Sequence, residues 1–124
     1  MSRGRVLVID DDEMIQESLR EVLLDEGYEV LLAQNGVDAL AKLKQGPPPT
    51  VILLDLMMPV MDGWQFRAEQ KKDPALARIP VIVITAAGNA VRASVDADLF
   101  MTKPVRLEDL LAAVGRYSDG ANQA

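Results

Sequence analysis

Val6-Leu7-Val8-Ile9-Asp10-Asp11-Asp12 decides the fold: four consecutive aliphatic residues give way at once to three carboxylates. An alternating pattern would mark a strand with one wet face. An unbroken aliphatic run marks a strand buried on both faces, the habit of parallel sheets covered by helices on each side. The motif recurs: Val51-Ile52-Leu53-Leu54 ends in Asp55, and Val81-Ile82-Val83-Ile84 ends in Thr85. Apolar stretches at Tyr28–Leu32 and Leu99–Met101 complete a set of five expected strands. Between them the apolar period lengthens to that of a helix. Ile15, Leu19, Val22 and Leu23 share one helical face ahead of Gly27, and Ala39, Leu40 and Leu43 do so between Asn35 and Gly46. A further helix is expected from Asp62 to Lys72, and a last one carries Leu107, Leu110, Leu111 and Val114. This alternation implies an α/β fold, a doubly wound five-stranded parallel sheet with right-handed crossovers and helices on both faces. The crossover from Thr85 to Leu99 is the weak point. It leaves about ten residues for a helix, with Val91 and Val95 as main apolar positions, so a short or irregular fourth helix is expected.

Composition narrows the function. With 124 residues, 49% of them hydrophobic, the chain supports a single core. The domain is assigned to residues 1–117, and the small polar stretch 118–124 is expected to be a flexible tail. A net charge of -6 with dispersed Lys and Arg argues against nucleic-acid or membrane surfaces and favours proteins or cations as partners. Without cysteine there is no disulfide or thiolate metal site, and without histidine the chain cannot carry phosphohistidine or use an imidazole base. The apolar runs are far shorter than a membrane span and no signal-peptide core precedes the first strand, so a cytoplasmic location is expected.

Ligands of open parallel sheets bind beyond the carboxyl ends of the strands. Asp10, Asp11, Asp12, Asp55, Thr85 and the Lys103-Pro104 pair all fall at that rim. Two like charges about 4 Å apart repel by roughly 4 kcal/mol at an effective dielectric of 20, so the acids need a cation, a lysine or a shifted pKa. Capping a helix takes one carboxylate, not three. Asp12, ahead of Ile15, reads equally as that cap. Asp62-Gly63 reads as a turn before a helix, and Phe100 reads either as core or as a moving part. Pro104 sets the peptide that presents Lys103, cis or trans being open.

Five ordered motifs, Ile9-Asp10-Asp11, Asp55-Leu56-Met57-Met58-Pro59, Met61-Asp62-Gly63, Thr85-Ala86 and Lys103-Pro104, resemble the receiver domain of two-component response regulators over essentially the full chain. The resemblance is to the chemotaxis-regulator-like, flavodoxin-like members, and it implies the strand order 2-1-3-4-5. It further implies that Asp55 accepts a phosphoryl group from a histidine kinase or phosphotransfer protein. Asp11, Asp55 and the backbone carbonyl of Met57 would hold Mg²⁺, with Asp10 acting through water. Lys103 and Thr85 would contact the phosphoryl group, and Thr85 and Phe100 would form the switch. The implied product is a protein-binding surface for a downstream partner, on a monomer or a phosphorylation-dependent dimer, with no catalysis beyond its own phosphorylation and dephosphorylation. Met57 and Ala87 would flank the path of attacking water, and neither orients it, so phosphoryl loss is expected to be moderate at most. Two alternatives stand beside this reading. One is a pseudo-receiver that binds partners without phosphorylation; the other is a Mg²⁺-dependent aspartyl-nucleophile phosphohydrolase, which needs a second Asp where Met57 stands. The chain departs from the pattern in its shortened crossover, with Asp96-Ala97-Asp98 before the last strand. Arg67 and Gln70 also stand where the third helix is often apolar, and sequence assigns them no role.

Overall fold

The structure, a computed structural model, describes residues 3–86 and 94–122. Its elements are β1 (Arg5–Ile9), α1 (Glu13–Asp25), β2 (Glu29–Ala33), α2 (Gly36–Leu43), β3 (Val51–Leu54), α3 (Gly63–Lys72), α4 (Pro74–Ala77), β4 (Val81–Thr85), β5 (Leu99–Thr102) and α5 (Leu107–Asn122). All strand pairs are parallel, in the order β2-β1-β3-β4-β5. The order and the doubly wound architecture are those expected. The short helix expected between β4 and β5, with Val91 and Ala87, lies outside the described residues except at its end.

The aliphatic runs are buried on both sides because alternate residues serve different cores. Leu7, Ile9, Ile52, Leu54, Val81 and Val83 join Ala39, Leu43 and Phe66 on the face of α2 and α3. Val6, Val8, Val51, Leu53, Ile82 and Ile84 join Leu23, Leu110 and Val114 on the face of α1 and α5. No helix among the described residues is long and apolar enough to cross a membrane.

Boundaries differ from expectation at three places, each for a local reason. First, β2 begins at Glu29, because the Tyr28 N–H belongs to the end of α1. Tyr28 N donates to Leu23 O (3.0 Å) and Gly27 N to Leu24 O (3.0 Å), with Gly27 at φ 93°. That is the paired bonding of a Schellman stop, and Leu23 and Tyr28 pack together in one core beneath it. Second, α4 is an unexpected single turn, capped by the Asp73 side chain and opened by Pro74. Third, α5 continues to Asn122, into the stretch from Ser118 that was expected to be a flexible tail. Ser118 is fully buried and hydrogen-bonds Thr50, while Asp119 pairs with Arg3 at 2.9 Å. A serine read as polar tail is therefore the inward face of the last helical turns.

Arg67 and Gln70 acquire a role in the fold. Both are buried, and Arg67 Nε donates to Asp96 O (2.8 Å) while its Nη1 donates to Gln70 Oε1 (2.8 Å). Gln70 Nε2 then donates to the carbonyls of Leu76 (2.9 Å) and Ile79 (3.3 Å). With the Lys71–Asp96 ion pair and the Trp64 Nε1 bond to Ser94 Oγ (2.8 Å), α3 holds the segment that leads into β5. Truncating Arg67 to alanine strands a buried amide oxygen and a carbonyl, so Arg67→Ala should cost about 2–3 kcal/mol in urea unfolding. Removing Gln70 as well should cost less than the sum of the single losses, since the two side chains act as one unit. Equal stability of Arg67→Ala and the parent protein would show that packing alone holds this segment.

Candidate functional site

Sheet register builds the site. Ile9 lies opposite Leu54, and the ladder runs one step further, with Asp55 N donating to Ile9 O (3.0 Å) and Asp10 N to Ala33 O (3.0 Å). Asp10 and Asp55 therefore leave adjacent strands side by side, at the point where strand order reverses. On the other flank Thr85 lies opposite Thr102, and Lys103 N donates to Thr85 O (2.9 Å). The Lys103-Pro104 peptide is cis, the form that sequence left open. Lys103 Nζ reaches back across β4 to Asp10 Oδ2 (3.3 Å) and Asp55 Oδ2 (3.7 Å).

Asp10, Asp11 and Asp55 each place a carboxylate oxygen within 4.8 Å of the others. Asp10 and Asp55 are buried and Asp11 is exposed. Burial pushes the Asp55 carboxyl above its ordinary value; the Met57 N–H (3.2 Å) and Lys103 oppose that rise, while Asp10 and Asp11 add to it. Three carboxylates in a chain without cysteine or histidine form an all-oxygen donor set, the chemistry that suits a small, hard divalent cation.

The remaining expected residues sort clearly. Asp12 is a cap: its Oδ1 accepts from Met14 N (2.9 Å) and Ile15 N (3.2 Å). Asp62 also caps, forming a reciprocal capping box with Gln65 (2.9 and 3.0 Å) ahead of α3. Thr85 is buried at the rim, and Phe100 is half-buried against the core under α3. Met57 is largely exposed beside Asp55. The loop from Met57 to Asp62 turns sharply at Val60, whose φ of 69° is strained for a β-branched residue, and Met61 N closes the turn on Pro59 O (2.8 Å).

One residue escaped the reading of the sequence. Gln16 in α1 is buried, and its Nε2 donates to Asp10 O (2.7 Å) and Ala33 O (2.8 Å). Its signal was available: Gln16 precedes Leu19 and Leu23 by three and seven residues, so it occupies the apolar stripe of its own helix.

With this geometry in view, the chain can be set beside known proteins. The family model described as response regulator receiver domain matches residues 6–115. The chain belongs to the response regulator receiver family. Similarity to individual members agrees. The response regulator MprA of Mycobacterium sp. (strain KMS) is 40% identical over 112 residues, 87% of this chain and 47% of that protein. The chain thus spans about half the length of such curated relatives. Among solved structures, the signal receiver domain of a signal transduction histidine kinase from Syntrophus aciditrophicus is 32% identical, with a TM-score of 0.89 and coverage of 98% of this chain and 94% of that one. The response regulator TrrA of Thermotoga maritima, solved in complex with Mg²⁺-BeF, is 32% identical, with a TM-score of 0.81 and coverage of 94% and 99%. Receiver domains are signalling modules of two-component systems.

Proposed function

We propose that this receiver is a cytoplasmic phosphorylation switch in which Asp55 accepts a phosphoryl group from the phosphohistidine of a histidine kinase or phosphotransfer protein. The observation that carries the reading is the convergence of Asp10, Asp11 and Asp55 within 4.8 Å, with Lys103 Nζ at 3.3 and 3.7 Å from two of them. An Asp55 carboxylate oxygen attacks phosphorus; the P–N bond breaks with its electron pair returning to the imidazole nitrogen, and a P–O bond forms. Asp11, Asp55 and the Met57 carbonyl would hold Mg²⁺, with Asp10 joining through water. Mg²⁺ when bound neutralises charge on the transferring oxygens.

The chain's own residues do the rest. Lys103 supplies a fixed positive charge to the site, and with the Met57 N–H it opposes the rise that burial imposes on the Asp55 carboxyl. The Met57 N–H holds one Asp55 oxygen, leaving the other to attack. Thr85 receives the new phosphoryl oxygens, and Phe100 on the neighbouring strand responds by repacking, which changes the surface of β5 and α5 offered to a downstream protein. A phosphohydrolase of the aspartyl type is disfavoured by the methionine at position 57. Incubation with acetyl phosphate and Mg²⁺ should add one phosphoryl group to the intact chain, and chelation by EDTA should prevent it. Absence of that mass gain would leave an interaction module that works without phosphorylation.

A further inference from the structure

We infer that Gln16 is a positioning residue for the acidic site, setting its affinity for Mg²⁺ by pinning the peptide that carries Asp11. The inference rests on the reading of Asp10, Asp11 and Asp55 as a Mg²⁺ site. Gln16 is a polar side chain on the buried stripe of α1, and both hydrogens of its amide nitrogen are spent on the two strand ends that frame the acids. One bond goes to Asp10 O at 2.7 Å, the other to Ala33 O at 2.8 Å. The Asp10 carbonyl is half of the peptide unit that continues into Asp11. Fixing that peptide plane fixes the direction in which the Asp11 side chain leaves the backbone.

The neighbouring bonds hold the residues on either side of Asp11. Asp12 N donates to Asp10 Oδ1 (2.9 Å), and the Gln16 backbone N donates to Asp12 O (3.0 Å). Asp10 and Asp12 are thus tied through their own atoms. Asp11, between them, is exposed, and its direction follows from the peptide planes on either side. Three carboxylates repel one another, so an exposed member that is free to swing leaves the cluster. Residues that orient metal ligands from behind commonly govern affinity by about 10- to 100-fold.

Gln70 supplies the control. It too is a buried glutamine whose Nε2 donates to two backbone carbonyls, at 2.9 and 3.3 Å, but those belong to Leu76 and Ile79, remote from the acids in sequence. Mg²⁺ binding to the full chain should be measured by isothermal titration calorimetry for the parent, Gln16→Met and Gln70→Met, with unfolding temperatures in parallel. Both variants should melt lower. Gln16→Met should raise the Mg²⁺ dissociation constant about tenfold or more, while Gln70→Met leaves it within about twofold of the parent. If Gln16→Met fails to fold, Gln16→Asn, one methylene too short to reach both carbonyls, should show the same weakening. Parent-like Mg²⁺ affinity in the Gln16 variants overturns the inference alone, as does equal weakening in Gln70→Met. A parent protein that binds no Mg²⁺ overturns the metal reading and the inference together.

Discussion

Asp55→Asn is expected to abolish Mg²⁺-dependent labelling by acetyl phosphate and, at the same time, to raise the unfolding temperature of the metal-free protein at pH 7. The first effect follows from the proposed chemistry, because an amide oxygen does not displace acetate from the phosphorus of acetyl phosphate. The second follows from the cost of the site. Asp55 is 8% exposed and faces Asp10 and Asp11, and burial holds its carboxyl above the ordinary value. The folded protein therefore binds that proton more tightly than the unfolded chain does. This contribution to stability is complete below the ordinary carboxylate range and is lost as pH rises through the raised folded value. At neutral pH the ionised carboxylate is a liability, relieved in part by Lys103. Asparagine removes the liability, and Lys103 keeps Asp10 at 3.3 Å.

A gain of roughly 1 kcal/mol corresponds to about 3–6 °C for a domain of this size. Added Mg²⁺ should stabilise the parent protein, by about 2.7 kcal/mol at one hundred times its dissociation constant, and the variant much less. Thermal melts with and without Mg²⁺ at pH 5 and pH 7 check all of this. Labelling that survives in Asp55→Asn would place the nucleophile elsewhere, and a variant melting below the parent would show that Asp55 is net stabilising as a charge.

Gly63→Ala should be among the most damaging single-methyl changes in the chain. A Cβ at Gly63 would meet Asp55 O at 2.7 Å, Leu56 Cα at 2.7 Å and Leu56 Cδ2 at 2.8 Å. The first two are backbone atoms at the start of the loop that joins β3 to α3, so relief requires moving that loop rather than rotating a side chain. Gly63 N also donates to Leu56 O (3.0 Å), which the displacement would break. Overpacking of this kind costs typically about 1–3 kcal/mol, and the upper end is expected where backbone must yield. Because the atom displaced is the Asp55 carbonyl, phosphorylation should slow beyond what the loss of stability explains. Gly46→Ala is the matched control. Its Cβ would meet only Arg5 Nη1, at 4.0 Å, and it should behave as the parent. Urea unfolding and labelling rates on both variants decide the point; a parent-like Gly63→Ala would mean that the β3–α3 loop is softer than its packing indicates.

Much of the site was legible because its residues end strands that declare themselves. Val6–Ile9 and Val51–Leu54 are too apolar to lie anywhere but inside a sheet, and a carboxylate following such a run must emerge at the rim. Asp12 was legible as a cap beside its reading as a site member, since capping depends on two or three neighbouring residues, whereas Asp62, read as a turn before a helix, caps α3 as well. The partners of Gln16, Arg67 and Gln70 were not legible, although the place of Gln16 on the apolar stripe of α1 was visible. Each of the three is a polar side chain whose partner is a backbone carbonyl that the fold brings to it, and sequence carries no mark of where a carbonyl will lie.

Taken alone, the sequence determined the strands, their burial on both faces, the family resemblance and the rim to which Asp10, Asp11, Asp55, Thr85 and Lys103 belong. These follow from hydrophobic periodicity and chain order, which are properties of neighbours along the chain. Only the tertiary structure decided that Lys103 spans β4 to reach two carboxylates, that Ser118 is core, and that Gln16 braces the acidic loop. Those depend on register and on hydrogen bonds between residues far apart in sequence, where a shift of one residue along a strand would put every such partner out of reach.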